Sequence, residues 1–408
     1  MTKKIYLIGK PLGHSWSPVI HSYLADYSYE LKKLEADEVA SFLKNGDYDG
    51  LNVTIPYKRD VMAFLDEISP EAERIGAVNT IVRKSGKLCG YNTDYFGFSD
   101  LIDSIGIDVK GKKALILGTG GSFHTIRTVL SDRGAREIIP ISRSGENNYG
   151  NISLHSDADI IINSTPVGMY PKTGVSPVSL DLFPSLSGVL DIVYNPERTE
   201  LILEAEEKGI PCASGLTMLV SQAKAAAEFF TGDAIDGKIV RDIVEKIRHE
   251  KRNIVLIGMP GSGKSSVGKE LSKALGRRFV DTDSLITQST SRTPEEIIRS
   301  DGEDAFRRIE SEVLSAVSRE SSLIIATGGG VVIKDTNRRR MRENGVVVLL
   351  DRPLYELTSE GRPLSQKDGV GKLWSDREKF YRSAADITVK TENTPKETAD
   401  KIIERLSL

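Results

Sequence analysis

The chain has 408 residues, 28% of them charged and 39% hydrophobic, with a formal net charge of -3. That length exceeds one compact core and calls for two or three domains, while the nearly balanced charge argues against a surface built for nucleic acid or another polyanion. No secretory leader is expected ahead of the first strand, no apolar run approaches membrane-spanning length, and Cys89 and Cys212 lack metal spacing, so the expected compartment is a reducing cytoplasm.

In chain order, Lys4 to Ile8 reads as a strand, followed by a loop, Gly9 to Trp16, that runs into a helix at Ser17-Pro18. Serine before proline has the form of a helix cap with proline in the first turn, so capping alone accounts for that pair; Ser15 has no such explanation. A helix over Val39 to Leu43 closes near Gly46, and the strand Leu51 to Ile55 delivers Pro56-Tyr57-Lys58. Ser69-Pro70 opens another helix, and Asn79 to Val82 pairs with Leu88 to Tyr91 across Ser85-Gly86. The next helix starts at Thr93-Asp94, where Asp94 has a credible capping role.

From Lys113 the pattern becomes a nucleotide-binding βαβ unit. Ala114 to Leu117 is a strand, Gly118-Thr119-Gly120-Gly121-Ser122 a phosphate-type turn, and Phe123 to Ser131 a helix ended at Gly134. The following strand, Glu137 to Ile141, leads into Ser142-Arg143-Ser144; an arginine at that tip favours a ribose 2′-phosphate over a bare diol, which predicts NADP(H). Strands at Ile160 to Asn163 and Val189 to Val193, then helices at Thr217 to Phe230 and about Ile235 to His249, complete this half.

His249-Glu250-Lys251-Arg252 is a short charged joint without a Gly/Ser spacer. Beyond it, Ile254 to Ile257 suits a buried parallel strand, and Gly258 to Ser265 fits G-x-x-x-x-G-K-S without a mismatch. Val267, Leu271 and Leu275 recur at helical spacing and Gly276 stops the helix. In such a loop backbone N–H groups wrap phosphates, Lys264 adds a point charge and the Ser265 hydroxyl is placed to hold Mg²⁺, so ATP is expected along Gly261, Ser262, Gly263, Lys264, Ser265 and Ser266. A strand over Arg278 to Val280 precedes Asp281-Thr282-Asp283; if that run is extended, both carboxylates face the phosphate site, one serving Mg²⁺ through water and the other a substrate hydroxyl. Arg307 and Glu310 lie three apart near a helix start, the strand Leu323 to Ala326 ends in Thr327-Gly328-Gly329-Gly330, and Val346 to Leu350 is the last clear core strand.

Residues 1 to about 250 resemble shikimate dehydrogenase. The resemblance rests on Gly9-Lys10-Pro11 with His14-Ser15-Trp16-Ser17-Pro18, Asn52 to Lys58, Gly76-Ala77-Val78-Asn79-Thr80, Gly90-Tyr91-Asn92-Thr93-Asp94, Asn163 to Met169, Asp191-Ile192-Val193-Tyr194, and Gly215-Leu216-Thr217-Met218 with Gln222. It implies reversible, NADPH-dependent reduction of 3-dehydroshikimate to shikimate between a substrate subdomain (1–96, with the helix at 235–250 returning to it) and a Rossmann subdomain (97–234). Ser15, Ser17, Thr54, Asn79, Tyr194 and Gln222 would hold the ring and its carboxylate, and Lys58 with Asp94 would be the catalytic pair. Thr165, Ile192 and Gly215 join the 118–122 turn and Ser142 to Ser144 as expected cofactor contacts. The 143–163 interval is shorter than usual and polar, Ser142-Arg143-Ser144 replaces the commoner Asn-Arg-Thr, and Phe123-His124-Thr125 stands where small residues and an arginine are usual, so the departures gather on the cofactor side.

Residues 252–408 resemble shikimate kinase, through the P-loop, Asp281-Thr282-Asp283, Phe306-Arg307 with Glu310, Gly328-Gly329-Gly330, Arg362-Pro363-Leu364, and Arg377 with Tyr381. The family implies Mg²⁺-ATP phosphorylation of the shikimate 3-hydroxyl. Asp283, Arg307, Gly329 and Arg377 would bind shikimate, Lys264 and Arg362 would neutralise the transferring phosphoryl, and Arg362 would sit in a mobile lid over 355–371. The expected architecture is therefore α/β throughout: a two-subdomain dehydrogenase followed by a P-loop kinase with a parallel sheet over 253–408. Expected partners are small molecules, and a homo-oligomer is compatible with the sequence. Two alternatives remain: a quinate- or NAD-using dehydrogenase beside a kinase for a related acid, or one half serving as a non-catalytic metabolite-binding regulator.

Overall fold

The computed structural model describes residues 2–10, 12, 15–357 and 369–408. Pro11, Gly13, His14 and the 358–368 stretch with Arg362, Pro363 and Leu364 lie outside the described residues, as does most of the expected lid. Two compact units are present, one of Met1–Val167, Ser176–Glu197 and Glu204–Lys246, the other of Gly168–Val175, Arg198–Leu203 and Ile247–Leu408. No helix among the described residues is long and apolar enough to cross a membrane.

The first unit begins with β1 (Lys4–Gly9), α1 (Ser17–Leu24), β2 (Ser28–Lys33), α2 (Ala36–Asn45), β3 (Gly50–Val53), β4 (Glu67–Ile68), α3 (Pro70–Ile75), β5 (Thr80–Lys84) and β6 (Lys87–Tyr91). These strands form a mixed six-stranded sheet in the order β2-β1-β3-β5-β6-β4. The β5–β6 hairpin has the expected register, with Lys84 opposite Lys87 and the left-handed Ser85 and Gly86 at its tip. Strand β2 alternates only at Tyr29 and Leu31, too short a pattern to mark it, and is recognised from its parallel pairing with β1. Its place at the sheet's edge lets a polar segment form a strand, because one side of the ladder suffices to hold it.

One local expectation changes here. Ser17 is not the cap of α1: Trp16 occupies that position, and the Ser15 hydroxyl accepts the Ser17 N–H at 3.2 Å instead. Ser69, by contrast, caps α3 as read, its hydroxyl accepting from the Ala72 N–H.

A second sheet follows α4 (Asp94–Ser104): β7 (Lys113–Leu117), α5 (Phe123–Asp132), β8 (Glu137–Ile141), β9 (Ile160–Asn163), β10 (Gly188–Asp191), α6 (Glu200–Glu207), β11 (Cys212–Ser214), α7 (Leu216–Thr231) and α8 (Lys238–Lys251). Its five strands are all parallel in the order β11-β10-β9-β7-β8, a doubly wound arrangement whose loops beyond the carboxyl ends of the strands are the natural place for a ligand. Between Ser142 and β9 the chain makes turns and one 3₁₀ segment, Ile152–His155, as its polar composition implied. Helix α7 packs Phe230 and Ala226 against Ile5 and Val82 of the first sheet, tying the two sheets of this unit together.

The second unit is built on β12 (Asn253–Ile257), α9 (Lys264–Leu275), β13 (Arg278–Asp281), α10 (Thr282–Thr290), α11 (Pro294–Asp301), α12 (Glu303–Val317), β14 (Leu323–Ala326), α13 (Asp335–Glu343), β15 (Gly345–Asp351), α14 (Val370–Ala384), β16 (Ile387–Lys390) and α15 (Pro395–Leu406). The sheet order is β13-β14-β12-β15-β16, parallel throughout. Val346 to Leu350 lies in the last core strand, and β16 adds a half-buried edge strand beyond it. Apolar clusters fill both faces, one including Val255, Ile257 and Tyr381, the other Leu256, Val267 and Ile402.

Candidate active sites

In the first unit a cavity of about 410 Å³ is lined by Ser15, Ser17, Thr54, Lys58, Asn79, Asp94, Tyr194 and Gln222, together with Ser122, Ile192 and Gly215. That volume suits a small ligand. All eight expected substrate residues thus meet in one cleft, although they come from six separate stretches of chain. Sheet topology explains the convergence, since Ser15 follows β1, Thr54 and Lys58 follow β3, and Ile192 follows β10, each just past a strand's carboxyl end.

Lys58 Nζ donates to Asp94 Oδ2 at 2.7 Å, with the two side chains 30% and 19% exposed. Asp94 is the first residue of α4 and Thr93 its cap, so the capping role open to Asp94 in the sequence is not the one it takes. Its carboxylate turns to the lysine. Behind them Asn79 Oδ1 accepts from the Thr93 N–H at 2.7 Å and from the Thr93 hydroxyl at 3.1 Å, which fixes the start of α4. Burial pushes the Tyr194 phenol above its usual pKa, keeping it a neutral hydrogen-bonding group.

The cofactor expectations divide. Ser122, Ile192 and Gly215 reach the cleft, and Gly118 follows β7 with φ +100°, where a Cβ would lie 2.7 Å from Thr165 Cγ2. Gly120 and Gly121 are open on their Cβ side, so the turn presents bare backbone with Thr119 at its exposed rim. Thr165 directs its hydroxyl to Asn163 Oδ1 at 2.7 Å. Ser142, Arg143 and Ser144 lie beyond β8, outside the residues that line the cavity, with Arg143 and Ser144 exposed. Glycine backbone at the turn and an exposed guanidinium beyond the next strand fit a phosphorylated dinucleotide.

The second unit has a cavity of about 730 Å³ lined by Gly261, Gly263, Lys264, Ser265, Ser266, Asp281, Asp283, Arg307, Gly329 and Arg377, among others. Ser262 is buried beneath the loop and is not among them. Gly258, Gly261 and Gly263 hold φ of +147°, +87° and +91°, conformations that favour glycine, and Lys264 Nζ donates to the Gly258 and Met259 carbonyls at 2.9 Å each. The loop is thereby curled around its own lysine, the shape needed to cradle phosphates.

Asp281 and Asp283 do both face this cavity, but not as alternating residues of a strand. Asp281 ends β13 and caps α10 through the Asp283 and Ser284 N–H groups, while Asp283 lies in the first helical turn. Asp281 Oδ2 also accepts the Ser265 hydroxyl at 2.6 Å. These two hard oxygens beside the phosphate loop suit Mg²⁺, which takes few protein ligands and keeps phosphate oxygens and waters. Asp283 is pushed up to about 6, chiefly by burial and then by Asp281 and Glu310, against the opposing charges of Lys264 and Arg307.

Arg307 Nη1 donates to Glu310 Oε2 at 2.8 Å with both side chains nearly inaccessible, and Arg307 Nη2 reaches Glu303 Oε1 at 3.0 Å. Arg377 Nη1 reaches the Gly329 carbonyl at 3.4 Å, which the Tyr381 hydroxyl also donates to. A Cβ at Gly330 would lie 2.2 Å from Arg307 Nη2, so the glycine loop is what admits the guanidinium. Sequence reasoning left Tyr29 and Asn52 out of the first site, and left Arg352, Glu310 and Tyr381 without a role in the second. Glu310 was legible in the three-residue spacing from Arg307, whereas nothing local marks Tyr29.

The fold and clefts define a nucleotide-dependent oxidoreductase joined to a P-loop phosphotransferase. Comparison with known proteins agrees. The profile described as shikimate dehydrogenase substrate binding domain matches residues 7–81, and that for shikimate kinase matches 260–407. The chain is 36% identical over 264 residues to a shikimate dehydrogenase (NADP(+)) of Clostridium beijerinckii, an alignment spanning 60% of this chain and 97% of that protein. It also resembles the crystal structure of a chorismate mutase/shikimate 5-dehydrogenase fusion protein from Clostridium acetobutylicum (TM-score 0.58, 36% identity, 61% of this chain and 98% of that one). A Thermus thermophilus shikimate 5-dehydrogenase in complex with NADP(H) and shikimate is similar too (TM-score 0.55, 31% identity, 60% of this chain and 99% of that one). The chain belongs to the shikimate dehydrogenase family and carries a shikimate kinase domain in its C-terminal part.

Proposed function

We infer that the chain is a bifunctional enzyme of the shikimate pathway: NADPH-dependent reduction of 3-dehydroshikimate to shikimate, then Mg²⁺-ATP-dependent phosphorylation of shikimate to shikimate 3-phosphate. The observation that carries this reading is the gathering of a Lys58–Asp94 ion pair with six polar groups in one cleft and of Lys264, Asp283, Arg307 and Arg377 in another. Residues 1–96 with the helix at 235–250 would bind substrate, 97–234 the dinucleotide, and 253–408 would be the kinase, joined at 249–252. Small acids rather than nucleic acid or membrane are its partners, the cytoplasm is its compartment, and a homo-oligomer is compatible with this reading.

In the first cleft NADPH supplies the hydride when bound, through the 118–122 turn, Ser142 to Ser144, Thr165, Ile192 and Gly215. As the carbonyl oxygen gains negative charge, Lys58 Nζ delivers a proton to it, and Asp94 Oδ2 holds the ammonium in line. Ser15, Ser17, Thr54, Asn79, Tyr194 and Gln222 orient the ring so that one carbonyl faces the lysine, which lowers the entropic cost of reaction.

In the second cleft Mg²⁺-ATP supplies the phosphoryl group when bound along Gly261 to Ser266, with Ser265 and, through water, Asp281 toward the metal. Arg307 and Arg377 clamp the substrate carboxylate, and the Gly329 backbone lets the ring approach. Asp283, in its ionised form, accepts the proton of the attacking hydroxyl, and Lys264 stabilises charge on the transferring group. Arg362 belongs to the same proposal.

A coupled assay of the purified chain with 3-dehydroshikimate, NADPH, ATP and Mg²⁺ tests this. NADPH loss followed by ADP formation in equal amounts is expected; loss of NADPH without ADP, or neither, contradicts it and favours the regulator alternative.

A further inference from the structure

Beneath the first cleft lies a buried aromatic group that the chemistry above does not use. His21, on α1, is 1% exposed. Its ring stacks on Tyr29 with centroids 4.0 Å apart and planes 13° from parallel, and Nδ1 shares a hydrogen bond of 2.5 Å with the Tyr27 hydroxyl. Phe230, on α7, closes the far side at 6.2 Å. Tyr29 itself lines the cleft, and its hydroxyl donates to Asn52 Oδ1 at 2.9 Å. Asn52 Nδ2 in turn donates to Thr80 Oγ1 at 3.0 Å, and Thr80 Oγ1 lies 3.1 Å from Asn79 Oδ1 and 3.2 Å from the Thr93 hydroxyl, beside Asp94.

We propose that His21 is a positioning residue for ring recognition: its stack on Tyr29 fixes the phenol so that the Tyr29 hydroxyl and the Asn52 amide form a rigid polar floor under the bound cyclic acid. The inference rests on the reading of this cleft as the substrate site. Geometry argues for it in two ways. A phenol ring with open space beside it rotates about its first side-chain torsion, whereas a ring sandwiched against a second flat ring has one orientation. Asn52 can accept from Tyr29 and donate to Thr80 only in one sense of its amide, so fixing Tyr29 also fixes which Asn52 group meets Asn79.

The environment keeps the stack intact. Burial drives the His21 imidazole pKa down to about 3, so it stays uncharged at any working pH, and burial drives the Tyr29 phenol up. Charged groups do not face the imidazole among its described partners: Tyr27, Tyr29, Phe230 and Asn52 surround it.

The test is steady-state shikimate oxidation by the full chain, with the circular dichroism melting curve of each variant, together with its KM for NADP⁺, reporting that the first unit is folded. Replacing His21 by leucine should raise the KM for shikimate about tenfold, the worth of one neutral hydrogen bond, with kcat within about threefold and the KM for NADP⁺ unchanged. Restoring a flat ring in His21→Phe should recover most but not all of the lost KM, because the stack on Tyr29 returns while the ring-nitrogen hydrogen bonds to Tyr27 and Asn52 do not. Tyr29→Phe, which keeps the ring and removes the hydroxyl, should raise KM similarly, and the combined His21→Leu/Tyr29→Phe variant should be no worse than the poorer single one. An unchanged KM in His21→Leu, a parallel fall in kcat with every KM raised, or strictly additive effects in the double variant would overturn the proposal. A parent chain that oxidises no shikimate is a separate result, which refutes the reading of the cleft before any variant is compared.

Discussion

The two clefts solve the same recognition problem with opposite electrostatics. The dehydrogenase cleft uses one direct ion pair, Lys58 with Asp94, left partly open to solvent and embedded among neutral hydroxyls and amides. The kinase cavity instead crowds Asp281, Asp283 and Glu310 against Lys264, Arg307 and Arg377, with Arg307 and Glu310 nearly sealed from water. A proton donor needs only to be held near its acceptor, whereas phosphoryl transfer needs several fixed charges to balance a polyanion. The difference lies in how much burial each chemistry demands of its charges.

The sharpest break in that comparison comes from single substitutions that silence one cleft and spare the other. Lys58→Ala should lower dehydrogenase kcat by about 10³-fold and leave ADP formation from added shikimate intact, while Asp283→Asn should do the reverse, within the usual range for a general acid or base. Separate assays of both activities on each variant decide it.

Burial predicts a second contrast. Truncating Arg307 to alanine leaves the Glu310 carboxylate buried with its closest cation gone, at a cost of about 3–5 kcal/mol to the unit that holds it. Chemical unfolding of Arg307→Ala should show that unit melting early; an unshifted transition would mean that solvent enters the cavity freely.

The comparison is sharpened by pH. Asp283 works as an acceptor only when ionised, and its pKa is raised to about 6, so kinase kcat should fall as pH drops through that value. Glu310→Gln removes one negative neighbour and should move this acid limb downward. The same shift has a stability consequence. A carboxyl whose folded pKa exceeds its unfolded value favours the folded state at low pH and loses that contribution as pH rises from about 4 to about 6, so Asp283→Asn should be the more stable chain at pH 7.5, by up to about 3 kcal/mol. The smallest effect belongs to a helix end: Ser69→Ala removes the cap of α3 and should cost about 1 kcal/mol with both kcat values unchanged.

How far the sequence carries differs between elements for physical reasons. Gly258 to Ser265 and Gly118 to Ser122 were legible because a phosphate turn demands glycine at set positions, and those demands are local. The strand β2 was not, since Ser28 to Lys33 owes its conformation to pairing with β1 rather than to its own pattern. The strands β11 and β16 escaped in the same way, as short elements completed by their neighbours. Asp283 was placed at the right cavity by the wrong geometry: spacing of two suits a strand face, yet Asp281 already caps the helix and Asp283 reaches the site from its first turn. Asp94 could be told from a cap only once Lys58, thirty-six residues earlier, stood 2.7 Å away.

The central claim is that two cavities in one polypeptide accept the same small cyclic acid. Equilibrium titration of the full chain with shikimate, in the presence of Mg²⁺-ADP and without NADP⁺ so that neither reaction can run, measures that directly. Two binding sites per chain are predicted, with Lys58→Ala and Arg377→Ala each weakening a different one. Saturation at a single site per chain, weakened by only one of those substitutions, would contradict the account.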